Sequence, residues 1–163
     1  MKRAILVGMS LLVLAGPTLL VVSLMNTPQA QAHCQVPCGI YDDTARVHAM
    51  EEDVKTITKA MNQINELAAG HDALKINQVT RWINTKEEHA SHVIETVSVY
   101  FLTQKVKVVD AGAAGYDDYL KKLADHHVVM SAAMKCKQTV DASNAAALGR
   151  AIEALAKHYP HNH

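Results

Sequence analysis

Val47, Met50, Val54, Ile57, Met61, Ile64 and Ala68 recur in alternating steps of three and four residues. That spacing keeps them on one stripe of an α-helix and leaves the intervening polar residues to solvent. It predicts a first helix from about Thr44 to Ala69, with Gly70 as its stop. Ile76, Val79, Ile83, Ala90, Val93, Val97 and Phe101 mark one face of a second helix reaching about Val108. The small, glycine-rich stretch Asp110 to Gly115 then turns the chain. Tyr116, Tyr119, Leu123, His127, Met130 and Met134 predict a third helix. Leu148, Ile152, Leu155 and Tyr159 predict a fourth, with Asp141 or Ser143 as its N-cap. Long amphipathic helices with short connections pack as antiparallel neighbours. The expected fold is therefore all-α, an up-down antiparallel four-helix bundle. No internal repeat, low-complexity tract or second domain interrupts it.

The first 32 residues follow a different pattern. Lys2 and Arg3 form a positive start, Ala4 to Met25 is almost wholly apolar, and Ala30-Gln31-Ala32 has the A-x-A form of a signal-peptidase site. Residues 1–32 are thus expected to be a cleaved signal peptide and 33–163 the mature domain, periplasmic or secreted. Gly16 and Pro17 interrupt the apolar run, which favours a signal segment over a spanning helix. The length of the run nevertheless approaches the roughly 20 residues a membrane helix needs, so an uncleaved anchor is the alternative.

Removing Lys2 and Arg3 from the 16 Lys and Arg leaves 14 against 16 Asp and Glu, a nearly neutral mature chain. Such a balance argues against nucleic acid as a partner and against a polybasic membrane patch, leaving membrane contact to the signal segment before cleavage. All ten histidines and all three cysteines fall in the mature part, which turns attention to metal chemistry.

Cleavage after Ala32 would begin the mature chain with His33-Cys34-Gln35-Val36-Pro37-Cys38-Gly39-Ile40-Tyr41. A free α-amine, an imidazole and two thiols then lie within six residues, joined by the Cys34 amide nitrogen if a metal displaces its proton. Mixed nitrogen and thiolate donors in a plane suit nickel(II) or copper(II), whereas zinc more often takes a closed tetrahedral site. Pro37 and Gly39 restrict and release the backbone on either side of Cys38, as a tight metal-binding hook requires.

This hook resembles that of nickel superoxide dismutases, whose mature chains begin His-Cys-x-x-Pro-Cys-Gly-x-Tyr. The similarity extends through Met61 to Leu67 and Arg81-Trp82-Ile83-Asn84. The resemblance implies a four-helix-bundle subunit of a homohexamer that disproportionates superoxide to O2 and H2O2 by cycling one nickel per subunit between Ni(II) and Ni(III). It also implies that His33 supplies its amine and an axial imidazole, Cys34 its amide nitrogen and thiolate, and Cys38 the second thiolate. Tyr41 would border the metal and orient small anions or water. In better-known members an acidic residue on the first helix and an arginine on the second support the axial histidine; here those positions fall on His48 and His89. Their distances from Gly70, about 33 and 28 Å along ideal helices, would set them at similar heights on adjacent helices.

Other readings attach to the same residues. An exported protein can close Cys34 and Cys38 as a disulfide, and a non-enzymatic nickel or copper buffer would need only the ligands. His126 and His127 are expected at a helix surface and seam, Met130 and Met134 in the core, and Cys136 as a buried thiol near the end of the third helix. His158, His161 and His163 form a histidine-bearing tail.

Overall fold

The computed structural model describes residues 43–160. The hook residues His33, Cys34, Cys38 and Tyr41, the signal segment, and His161 and His163 lie outside the described residues. Four α-helices account for most of the chain: α1 (Asp43–Leu67), α2 (Ala73–Glu95), α3 (Tyr116–Gln138) and α4 (Ala142–Ala156). Each packs on the next and α4 closes against α1, which is the neighbour order of an up-down four-helix bundle. Among the described residues there is no strand, and no helix is long and apolar enough to cross a membrane.

The helix ends follow from local chemistry. Asp72 caps α2 by accepting from the Lys75 amide, and Asp141 caps α4 by accepting from the Ser143 amide. Gly115 takes a φ of 87° ahead of α3, a left-handed conformation in which a side chain would be strained. The predicted stripe of α1 is buried at Val47, Met50, Ile57, Met61 and Ile64, and that of α4 at Leu148, Ile152 and Leu155.

Three expectations require correction. The second helix does not remain α-helical to Val108: residues Thr96–Lys105 wind as a π-helix. In addition, Ile76 and Ile83 are exposed rather than core-facing, at 56% and 40%. The reason is the length of α3. Its last carbonyls meet Lys86, so the turns of α2 before Lys86 run past its end. Third, the core face of α3 carries His126, Val129, Ala133 and Cys136, one position away from much of the predicted seam; His127 and Met134 face solvent and Met130 is half-buried.

Lys86 itself is buried, and its ammonium donates to the carbonyl oxygens of Cys136 and Lys137 at 2.9 and 2.6 Å. A cation is favoured there because unpaired carbonyls carry the negative end of the helix dipole. Lys86 also pairs with its neighbour Glu87 within α2, and Lys137 at the end of α3 reaches the same carboxylate at 3.6 Å, which adds to the tie between the two helices.

Candidate metal centre

The described chain begins at Asp43, five residues after Cys38. Its carboxylate accepts from the Tyr100 hydroxyl at 2.6 Å and pairs with Lys105 at 3.1 Å. Arg46, one turn along α1, places its guanidinium 5.5 Å from the centre of the Tyr100 ring. The first turn of α1 is therefore held by side chains from the π-helical segment.

Aromatic groups continue inward from this point. Tyr100 meets Phe101 edge-on at 5.1 Å, and Phe101 lies 4.5 Å from the ring of Tyr159. Beneath them His126 is fully buried, donating from Nδ1 to the Lys122 carbonyl at 2.6 Å and accepting at Nε2 from the Tyr159 hydroxyl at 2.9 Å. Those two bonds assign a neutral tautomer. Burial lowers the His126 pKa and raises that of Tyr159. The remaining histidine of the described tail, His158, contacts Asp125 at 2.7 Å.

Farther along α1, Asp53 is buried and takes two imidazoles from α2. Nδ1 of His89 lies 2.6 Å from one carboxylate oxygen and Nδ1 of His92 lies 2.7 Å from the other. His89 thus meets Asp53, five residues beyond the expected neighbour His48. His48 is exposed and makes no hydrogen bond among the described residues. A one-turn spacing on α2 explains why His89 and His92 share one acceptor.

Sequence reasoning missed Asp43, Asp53, His92, Tyr100 and Lys105. Asp53 carried a readable signal, since it lies beside Val54 on the apolar stripe, where a buried carboxylate requires partners. Tyr100 and Lys105 carried none, because their convergence depends on the π-helical winding. Cys136 is buried as expected, and burial pushes its thiol up to about 11.

Among the described residues, no group of three or more His, Cys, Asp and Glu side chains is placed to hold a metal ion. The model of the nickel-containing superoxide dismutase family matches residues 28–163. No curated protein and no solved structure matches the chain.

Proposed function

Given that the chain belongs to the nickel-containing superoxide dismutase family, we propose that its nickel is bound at the N-terminal hook by His33, Cys34 and Cys38, with Tyr41 beside it. The protein is an oxidoreductase that converts two superoxide anions and two protons to O2 and H2O2, and its cofactor is nickel. The observation carrying the site assignment is the distribution of donors. The described helices bring no three ligating side chains together, while two thiols, an imidazole and an amine fall within six residues of His33.

The donor set fits the ion. Thiolate and deprotonated amide donors are strong enough to bring a second nickel oxidation state within reach, and nickel then supplies a one-electron couple. The chain's own residues do the rest. Cys34 and Cys38 enter as thiolates, so binding releases their protons. Tyr41 orients superoxide or water at the rim through its hydroxyl, and solvent delivers the protons that form peroxide.

His89 and His48 fill the supporting role around the His33 imidazole in this reading. Asp53 fixes the ring of His89 through Nδ1, the usual way in which an outer carboxylate sets a histidine tautomer. Residues 1–32 form a signal peptide whose removal frees the His33 amine, and the product acts in the periplasm or outside the cell as a homohexamer.

Intact mass, nickel content and superoxide dismutation, measured on exported protein before and after nickel removal, test the proposal. A chain starting at His33 with about one nickel per subunit is expected, with activity lost alongside the metal. An active chain that retains residues 1–32 would overturn the cleavage and amine-ligand assignments, and full nickel retention in Cys34→Ser/Cys38→Ser would overturn the thiolate assignment.

A further inference from the structure

Phe101 joins two phenols through the interior of the bundle. Its ring meets Tyr100 edge-on at 5.1 Å and Tyr159 at 4.5 Å, and its side chain is fully buried. On the far side the Tyr159 hydroxyl donates to Nε2 of His126 at 2.9 Å, and His126 is fully buried as well. Nδ1 of His126 donates to the Lys122 carbonyl at 2.6 Å, which leaves Nε2 as the basic nitrogen of the ring. A phenol thus rests against a neutral base inside an aromatic cluster.

We infer that Tyr159 and His126 form a proton-coupled redox pair, in which a strong one-electron oxidant takes an electron from the Tyr159 ring while the phenolic proton crosses the 2.9 Å hydrogen bond to His126 Nε2. With a diffusing oxidant of the carbonate-radical class, the radical anion is reduced to carbonate. Tyr159 becomes a neutral phenoxyl radical and His126 an imidazolium. One O–H bond breaks and one N–H bond forms. An electron from a small reductant of the ascorbate class then returns the proton to Tyr159. The pair belongs to the described bundle and stands independently of where nickel is bound.

The surroundings favour this exchange. Burial raises the Tyr159 pKa, so the phenol does not ionise in advance and its proton leaves together with the electron. Burial also makes His126 a weaker base; the Lys122 carbonyl and Asp125 oppose that effect, and the charges of His158 and Lys122 add to it. A phenol that has lost an electron is nevertheless a far stronger acid than an imidazolium, so the weakened ring still accepts. Both N–H groups of the imidazolium then have an acceptor, the Lys122 carbonyl and the phenoxyl oxygen. Tyr100 is placed differently: its hydroxyl donates to Asp43, whose carboxylate is already paired with the Lys105 ammonium.

Flash oxidation of the exported holoprotein by photo-oxidised tris(bipyridine)ruthenium(III), followed by rapid freezing and paramagnetic resonance, tests the inference. The wild type should give a narrow tyrosyl signal, separable from nickel by its width. Tyr159→Phe should remove most of it, whereas Tyr100→Phe and Tyr119→Phe should retain it. 3-Fluorotyrosine placed at position 159 should change its hyperfine splitting. The phenoxyl oxygen should show a coupling to one exchangeable proton, lost in heavy water, and His126→Gln should slow radical formation by about a hundredfold.

A signal unchanged in Tyr159→Phe, or one removed by Tyr100→Phe or Tyr119→Phe instead, would overturn the assignment. A lower melting temperature in Tyr159→Phe with the same radical yield would overturn it too, by showing that the pair serves packing alone. An unchanged rate in His126→Gln would overturn the role of His126 as proton acceptor. Should His126→Gln fail to fold, the exchangeable-proton coupling decides that point in the wild type, and its absence would overturn the transfer.

Discussion

His89 Nδ1 lies 2.6 Å from Asp53 Oδ1, so a buried carboxylate on α1 sets the ring of a half-exposed histidine on α2. The second carboxylate oxygen holds His92 in the same way. Asp53→Ala removes both acceptors at once. The imidazoles retain 35% and 52% of their side-chain surface, so water replaces part of what they lose and the expected cost is about 1–2 kcal/mol. Urea unfolding at pH 7 should show a lower midpoint with an unchanged slope, and Asp53→Asn, which keeps one acceptor, should recover part of the loss. A wild-type midpoint in Asp53→Ala would mean that the two bonds contribute nothing net.

The buried His126 makes stability depend on pH in a defined direction. Burial lowers its folded pKa below the ordinary value of 6.5, so between those two values the unfolded chain binds the additional proton. Its contribution is fully present above about pH 6.5 and is lost as pH falls through that window. Asp125, held below its ordinary 3.8 mainly by its hydrogen bond from Lys121, loses its contribution only in a lower, separate window. Melting temperatures should therefore fall from pH 7 to pH 5, and His126→Gln should flatten that slope. An equally steep slope in His126→Gln would assign it to other groups.

Lys86 offers a sharper test of how α2 and α3 are joined. Lys86→Met preserves length and apolar bulk but withdraws the ammonium from the carbonyls of Cys136 and Lys137 and from Glu87. Two partly buried acceptors lose their donor, which should cost about 2–3 kcal/mol. Faster amide exchange at the end of α3 should accompany the loss, since the fastening is local. If stability stays within about 0.5 kcal/mol of the wild type, the range of unremarkable surface changes, the fastening is ornamental.

The helices and their order were legible because the apolar repeat of α1 and α4 is long and regular, and Asp141 marks the start of α4; the cap that Asp72 supplies to α2 went unread. Registers failed where the pattern is ambiguous. On α3 both His126 and His127 stand beside apolar residues, and only the Tyr159 hydroxyl and the Lys122 carbonyl decide which ring can be buried. On α2 the sequence shows an apolar face at Ile76 and Ile83 but not that α3 ends before covering it. Similar limits apply around the hook. Its donors stand contiguous in the sequence, whereas Asp43 meets Tyr100 and Lys105 across 57 and 62 residues through a winding that no periodicity announces.

Cys136 and the hook cysteines should separate by chemistry alone. Burial pushes the Cys136 thiol up to about 11, and its side chain is inaccessible in the folded bundle. At pH 8 it is almost entirely protonated, and alkylation proceeds through the thiolate. Cys34 and Cys38, as proposed metal ligands near the mature N-terminus, should be reactive once nickel is removed under reducing conditions. Iodoacetamide treatment of the folded apoprotein followed by mass spectrometry should then add two labels quickly, with the third appearing only in denaturant. Rapid labelling of Cys136 in the native protein would show that the end of α3 opens far more readily than its packing implies; protection of Cys34 and Cys38 in both the apo and the nickel-loaded forms would speak against their service as ligands.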